Sequence, residues 1–438
     1  MKKNILILGA GLVAGPHIEY LLSKKDLKVT VASRTVQKAK DLTKGAENSA
    51  AISLDVNDIV ALNNLIKTAD LVVSLLPYVH HVTVANICIE HKKHMVTTSY
   101  VSEEMRKLDE KAKNAGILIL NEIGLDPGID HMSAMKIIHE IQSKGGKVTS
   151  FQSSCGGLPS PEANTNPFGY KFSWSPHGVV LAGRNNAQHL KDGKVIKING
   201  EDLFDNFWIK HVDSLGDFEV YPNRDSLSYI ETYGLKGIST MFRGTFRNIG
   251  WCNTWKKIAM LGLLDNEKKY DFEHLTYSSF LKKLINGQED DIRRAVAGYL
   301  KLDYNSEILN RIEWLGLFKN IKPSLKQGSA LDILVSVLYE HMQYQPGESD
   351  MVVLQHEFEC EYDNKKEKIL STLIDFGIPN GASSMSRTVG LPSAIAANMI
   401  LHGDIKLNGV HIPVLPEIYQ PILAELSKSG IKFEERRN

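Results

Sequence analysis

In the first 121 residues of this 438-residue chain, short apolar runs alternate with helical patterns. The runs lie at 4–8, 29–32, 51–54, 71–75, 94–97 and 117–121. Each is continuous rather than alternating, as in strands buried on both faces of a parallel sheet. Helical patterns follow the glycine-rich loop after the first run and cover about 36–44, 58–67, 80–91 and 103–115. Parallel strands need crossover connections, and a helix in each gap gives right-handed βαβ units. The expectation is an α/β fold opening with a Rossmann-type doubly wound parallel sheet.

The texture changes after Gly124-Leu125-Asp126-Pro127-Gly128. A helical pattern over 130–143 leads into a strand over 148–154, then a Gly/Pro/Asn-rich stretch over 156–169. Segments 217–225 and 241–247 alternate and are expected to pair in a mixed or antiparallel sheet. Lys/Glu-rich helical patterns at 275–286, 290–300, 306–316 and 329–342 mark an all-helical insertion. Alternation over 352–362 returns the chain to a sheet. A helix carrying Leu391, Ile395 and Met399 and a final helix over 415–429 end it.

Lys+Arg and Asp+Glu both number 51. A chain with no net charge suits neither phosphate neutralisation on nucleic acid nor a polybasic hold on membranes. Hydrophobic residues at 43% and charged residues at 23% are ordinary globular values, which excludes general disorder. Four scattered cysteines form no CxxC and no zinc spacing, so reduced thiols, a cytoplasmic setting and no metal are expected. No apolar run reaches the ~18–20 residues of a membrane span. Met1-Lys2-Lys3 imitates a leader, but the apolar run behind it breaks at Gly9 and reads as a strand.

Gly9, Gly11 and Gly15 give GxGxxxG where the strict fingerprint is GxGxxG. Gly9 permits the tight turn, Gly11 lets the backbone approach a pyrophosphate, and the next helix offers its N–H groups. The strand before and the helix after supply the context that a lone glycine loop lacks. At the end of the second strand stands Ser33-Arg34-Thr35 in place of the usual Asp or Glu. An acidic residue would repel a 2′-phosphate, whereas a guanidinium flanked by two hydroxyls would hold one, so NADP(H) is expected rather than NAD. Asp55-Val56, after the third strand, sits where the adenine would lie, or in an ordinary helix cap.

Ligands of open parallel sheets lie at the carboxyl ends of the strands. Those ends carry Leu76-Pro77-Tyr78, Thr97-Thr98-Ser99-Tyr100 and the 121–128 turn. Farther on, Tyr221–Ser226 with Arg224 and Arg243–Arg247 offer guanidinium forks suited to carboxylates, or to surface ion pairs. Lys171–Ser175 follows the glycine-rich stretch and is a candidate to close over the cofactor. His80, His81 and His131 show no carboxylate–histidine constellation in sequence and read as satisfied or surface histidines. Cys155 has no basic sequence neighbour to activate it.

The chain resembles the NADP-dependent, L-glutamate-forming saccharopine dehydrogenases, also called saccharopine reductases. The resemblance rests on GAGLVAGP (9–16), VTVASRT (29–35), ISLDVND (52–58), SLLPY (74–78) and VTTSYVS (96–102). NEIGLDPGIDH (121–131), CGGLPSPE (155–162), NPFGYKFSWS (166–175), YPNRDS (221–226), RGTFR (243–247) and TVGLPSAIA (388–396) extend it over nearly the whole chain. It implies a dinucleotide domain at 1–128 completed by 386–438. A substrate domain at 129–253 and 346–385 and a helical insertion at 254–345 make up the rest. It also implies a homodimer. The implied reaction converts saccharopine, NADP+ and water reversibly to L-glutamate, 2-aminoadipate 6-semialdehyde and NADPH through an imine. The implied cofactor contacts are Gly9, Gly11, Leu12, Val13, Ala14, Ser33, Arg34, Thr35, Asp55, Val56, Leu76, Thr98, Ser99, Leu125, Asp126, Pro127 and Ser175. The implied saccharopine contacts are Ser99, Tyr100, Asp126, Arg224, Thr245, Phe246 and Arg247, and a substrate with three carboxylates suits the arginines.

Imine chemistry needs proton transfer by a group of suitable pKa. No Lys or His stands out in the matched motifs, so Asp126 and Tyr100 are the candidates, with Cys155 third. Bound water or the substrate's own groups are the alternative. Two other functions stay open here. A related imine reductase, such as a carboxynorspermidine dehydrogenase, would lack Arg224 or Arg247. A non-catalytic NADPH-binding homologue would have eroded saccharopine motifs. A standalone enzyme is expected, since in animals and plants the activity is fused to a lysine-ketoglutarate reductase and 438 residues leave no room for that second enzyme.

Overall fold

The computed structural model describes residues 2–363 and 365–438. The chain forms two compact units. One runs to Val148 and resumes from Leu354 to Asn438, and the other is Thr149–Val353.

The first unit is built on β1 (Lys3–Leu8), β2 (Leu27–Ser33), β3 (Ser49–Ser53), β4 (Leu71–Ser74), β5 (His94–Thr97) and β6 (Leu118–Leu120). A seventh strand, Gly409–His411, pairs parallel with β6, so the C-terminal segment completes this sheet. The order is Gly409–His411, β6, β5, β4, β1, β2, β3, all parallel. The strand order reverses between β1 and β4, which is where a doubly wound sheet opens its ligand crevice. Residues 5–8 lie at or below 1% exposure, because both faces of β1 are covered.

The crossovers are α1 (Ala14–Leu22), α2 (Val36–Thr43), α3 (Ile59–Thr68), α4 (His81–Glu90), α5 (Glu103–Arg106) and α6 (Asp109–Ala115), and α7 (Ile129–Ser143) follows β6. The single helix expected over 103–115 is thus two. Ser102 caps the first, accepting the Met105 N–H at 3.2 Å, and nothing in the sequence explains the break. Asp58, not Asp55, caps α3 by accepting the Ala61 N–H at 3.0 Å.

Helix α1 packs on Ser384–His402, the helix carrying the TVGLPSAIA motif. A Cβ on Gly390 would meet the Val13 carbonyl oxygen at 2.8 Å, so only glycine permits this approach. His17 closes the contact, its Nδ1 lying 2.8 Å from Ser393 Oγ and 3.2 Å from the Gly390 carbonyl. The same unit carries the antiparallel pair Lys365–Phe376 and Glu434–Arg437.

In the second unit, β7 (Lys147–Pro159) outruns its expected span. It pairs parallel with Thr240–Arg247, which pairs antiparallel with Gly216–Pro222, and that strand with Trp208–Val212. A hairpin of Ala187–Lys191 and Lys194–Ile198 joins the same sheet, which is therefore mixed. Helices Trp251–Met260, Tyr277–Ile285, Ile292–Leu300, Glu307–Trp314 and Ala330–His341 share one large apolar core. Amid them a short pair, Lys269–Asp271 with Gln327–Ser329, interrupts the expected all-helical stretch.

Burial pushes His17 down to about 4, and burial with the charge of His80 does the same to His81. Unfolding returns both to about 6.5. Between pH 6.5 and 4 the unfolded chain therefore binds more protons, and stability falls as pH falls. Urea unfolding at pH 5 should show a loss of about 2 kcal/mol per histidine relative to pH 7.5. His17→Gln should remove its share of that slope, and an unchanged slope in the variant would contradict this account.

Candidate active site

The crevice begins at the turn after β1. Gly9 has φ +112°, and a Cβ there would lie 2.9 Å from the Leu75 carbonyl oxygen. Gly11 faces open space within 4 Å. Leu12 is 70% exposed, and α1 starts at Ala14 with no side chain capping it and no acid in its first turn. A helix N-terminus behind a glycine turn forms an anion cradle, here without the Ala14 N–H, which donates to the Gly11 carbonyl at 3.1 Å, and without Pro16, which has none. Gly9, Gly11, Leu12 and Val13 thus fit a pyrophosphate, with Ala14 opening the helix behind them.

At the end of β2, Ser33 Oγ accepts the Thr35 N–H at 3.3 Å. Arg34 is exposed, and no carboxylate among the described residues pairs with it. Its guanidinium is thus available to a phosphate. Asp55 holds an Asx turn through Asn57 at 3.0 Å, and Val56 is half-buried beside it. Leu76 is half-buried at the end of β4.

The loops after β5 and β6 are locked together. Glu122 N–H donates to the Ser99 carbonyl at 3.1 Å, and Ile123 N–H to the Thr97 carbonyl at 3.3 Å. Glu122 Oε1 accepts the Val101 N–H at 2.9 Å, and its Oε2 lies 2.7 Å from His131 Nε2. The 124–128 turn closes on itself: Gly124 N–H donates to the Pro127 carbonyl at 3.0 Å, and Asp130 N–H to the Leu125 carbonyl at 3.0 Å. A Cβ on Gly124 would lie 3.2 Å from Thr98, so these loops pack backbone to side chain. Within this frame the Tyr100 hydroxyl donates to Asp126 Oδ1 at 3.4 Å. Two candidate proton-transfer groups are therefore neighbours.

His81 and His131 are satisfied histidines, as expected, with partners that the sequence does not reveal. His131 does belong to a carboxylate–histidine pair, with Glu122, and both partners are buried. The pair is hidden in sequence because the 124–128 turn folds nine positions back on themselves. His81 is buried and bonded to Ser74, Thr97 and Ser99, and nothing around it in sequence announces those partners.

In the second unit, Arg247 ends the strand Thr240–Arg247. It is 4% exposed, and its guanidinium carbon lies 5.0 Å from the Tyr170 ring, 5.1 Å from Trp251 and 6.0 Å from Tyr221. Its NH1 donates to the Phe246 carbonyl at 2.8 Å, and its Nε has no partner. No carboxylate among the described residues is paired with it. A buried guanidinium against aromatic faces, short of acceptors, is built to receive an anion. Phe246 is buried beside it, and Thr245 pairs with Cys155 across the strands. Arg224 is exposed with φ +52° and holds the Gln188 N–H through its carbonyl at 2.9 Å. Ser175 is exposed and caps the turn Pro176–Ala182, accepting the Gly178 N–H at 3.2 Å. Lys171, in the segment considered as a cover, is instead buried and bonded to Glu348 at 2.5 Å and Thr165 at 3.0 Å. All four cysteines are buried, and none is in a disulfide.

Two family models match the chain. The "Saccharopine dehydrogenase NADP binding domain" covers residues 5–120, and the "Saccharopine dehydrogenase C-terminal domain" covers 124–431. The chain belongs to the saccharopine dehydrogenase family. Within it, the chain is 42% identical to "Saccharopine dehydrogenase [NADP(+), L-glutamate-forming]" of Schizosaccharomyces pombe, over 99% of this chain and 98% of that one. Against the protein of the same name from Saccharomyces cerevisiae the identity is 43%, over 100% and 99%. A solved apo structure of the L-Glu-forming saccharopine dehydrogenase from Saccharomyces cerevisiae superposes with a TM-score of 0.90 at 41% identity, covering 100% of both chains. The mouse mitochondrial alpha-aminoadipic semialdehyde synthase is 37% identical over 99% of this chain, but only 47% of its own length.

The free Arg34 gives a direct test of the cofactor geometry. Arg34→Ala should weaken NADPH binding about 10- to 100-fold, the worth of a charged hydrogen bond to phosphate. NADH binding should not change. Titration of nicotinamide fluorescence measures both, and equal losses for the two cofactors would contradict the role given to Arg34.

Proposed function

We propose that the chain, as an NADP(H)-dependent oxidoreductase of the CH–NH bond, interconverts saccharopine with L-glutamate and 2-aminoadipate 6-semialdehyde in lysine metabolism. The observation that carries this reading is the Arg247 cage, a buried cation in no ion pair among the described residues; Glu219, across the strands from it, is taken up by the Gly250 and Cys252 N–H groups. Saccharopine brings three carboxylates, and one of them answers that cation. Arg224, Thr245, Phe246, Ser99, Tyr100 and Asp126 are the other substrate contacts in this reading. Gly9 to Ala14, Ser33, Arg34, Thr35, Asp55, Val56, Leu76, Thr98, Ser99, Leu125 to Pro127 and Ser175 are assigned to the cofactor.

When bound, NADP+ supplies the acceptor for the hydride leaving the lysine-derived carbon of the secondary amine. The chain's residues hold that carbon in place and exclude free water, which is where positioning lowers the barrier. Asp126 takes the proton from the water that adds to the imine carbon. Tyr100, hydrogen-bonded to Asp126, delivers a proton to the departing glutamate nitrogen. Written in full, saccharopine, NADP+ and water give L-glutamate, the semialdehyde, NADPH and a proton.

The proposal extends to architecture. Residues 1–128 with 386–438 bind the dinucleotide, 129–253 with 346–385 bind substrate, and 254–345 is the insertion. We place the enzyme in the cytoplasm as a homodimer. Among the described residues no helix is long and apolar enough to cross a membrane. The strand Trp208–Val212 ends its sheet with Trp208 and Ile209 at 37% and 51% exposure, and Val195 on the nearby hairpin is 50% exposed. Such an apolar edge favours a second copy.

The fate of the bridging nitrogen tests the reaction. Saccharopine labelled with 15N at its secondary amine should deliver the label to L-glutamate, together with an aldehyde. Label in lysine, with 2-oxoglutarate as the other product, would contradict the proposal.

A further inference from the structure

Ser74 closes β4, Thr97 closes β5, and His81 opens α4 between them in sequence. The fold brings Ser74, Thr97 and Ser99 onto the His81 imidazole. Ser74 Oγ lies 2.9 Å from His81 Nδ1, Ser99 Oγ 2.8 Å from Nε2, and Thr97 Oγ1 3.3 Å from Nε2. Ser74 and Thr97 are fully buried and His81 is 4% exposed, while Ser99 is half-buried. The ring therefore joins the inner polar ends of two strands to the one member of the group that faces outward.

We infer that His81 is a positioning residue that fixes the Ser99 hydroxyl for the bound ligands. This rests on the reading above that Ser99 touches cofactor and substrate. Burial and the neighbouring His80 hold the ring neutral, with one donor and one acceptor nitrogen. The hydrogen-bond count selects the tautomer. A proton on Nε2 lets the buried Ser74 hydroxyl donate to Nδ1 at 2.9 Å and leaves only the weaker 3.3 Å contact of Thr97 unused as a donor. A proton on Nδ1 would strand the Ser74 proton, which has no other acceptor. With Nε2 donating, Ser99 accepts from His81, and its own proton points to a ligand acceptor such as a carboxylate. The Ser99 main chain has hydrogen bonds of its own, of which the one at its carbonyl involves no partner of His81. Its N–H donates to Thr97 Oγ1 at 3.4 Å, and its carbonyl accepts the Glu122 N–H at 3.1 Å. His81 therefore acts on the side chain, not on the loop.

A double-mutant cycle with His81→Leu and Ser99→Ala separates this from a packing role. Each single variant should lower kcat/KM for saccharopine about 3- to 10-fold, the worth of one neutral hydrogen bond. The double variant should be no worse than Ser99→Ala, because the histidine acts only through that hydroxyl. His81→Gln, whose amide N–H can reach the Nε2 position, should recover most of the loss. Ser74→Ala, which loosens the ring without removing it, should show a smaller fall and carries the test if His81→Leu does not fold. Losses that multiply in the double variant would overturn the positioning role while leaving the function of Ser99 intact. An active Ser99→Ala enzyme with unchanged kcat/KM would overturn this inference and the ligand contact assigned to Ser99. The saccharopine reaction itself would then stand.

Discussion

The carboxyl group of Glu122 holds the working edge of the parallel sheet together. Its φ of +57° turns the chain sharply as it leaves β6, a conformation that costs an ordinary side chain about 1 kcal/mol or more. One carboxyl oxygen takes the Val101 N–H and the other meets His131 on α7, while its own N–H reaches the Ser99 carbonyl. Three segments distant in sequence thus share one buried group. Tyr100 is gripped from both sides, by Ser99 and by Val101, and Asp126 sits in the turn between Glu122 and His131. A buried acid retained in this way needs all its partners, since removing one leaves an unpaired polar group where water cannot repay it.

That edge explains why the strands end in small polar residues. A parallel sheet covered by helices on both faces has nowhere to put a polar side chain except at the strand ends. Ser74, Thr97 and Ser99 lie at or just past those ends, and their hydroxyls gather around His81. The glycines follow the same logic from the other direction. Gly9 lets the first loop touch the Leu75 carbonyl, and Gly390 lets the C-terminal helix support α1 beneath the phosphate cradle. The late TVGLPSAIA motif is therefore tied to the earliest loop of the chain through His17 and Gly390.

The parallel sheet was legible in sequence because strands buried on both faces must be continuously apolar, and six such runs lie at short intervals. The glycine turn and the exposed Arg34 are legible because both are set by neighbouring residues in sequence. The polar frame was not. Glu122 and His131 meet only because a turn returns the chain, and His81 draws its partners from two strand ends that no spacing rule connects. The strand Lys365–Phe376 is masked in sequence by its Lys/Glu-rich first residues, although Ile369, Ser371 and Leu373 alternate inward. Lys171 looked like part of a mobile cover, and its burial against Glu348 depends on a residue 177 positions away. The Arg247 cage was half legible. The arginine stood out beside small polar residues, but its aromatic walls come from Tyr170, Tyr221 and Trp251, which lie far apart in sequence.

The proposed reaction rests on an NADP-selective crevice at the parallel sheet and on a carboxylate-binding arginine cage in the second unit. The most direct test is initial-rate measurement of nicotinamide reduction by the purified protein with saccharopine, using NADP+ and NAD+ in parallel. The account predicts steady reduction with NADP+, a much lower kcat/KM with NAD+, and one L-glutamate formed per nicotinamide reduced. Preference for NAD+ would contradict the role of Ser33, Arg34 and Thr35. Absence of turnover with either cofactor, in protein that binds NADPH, would contradict the saccharopine reaction.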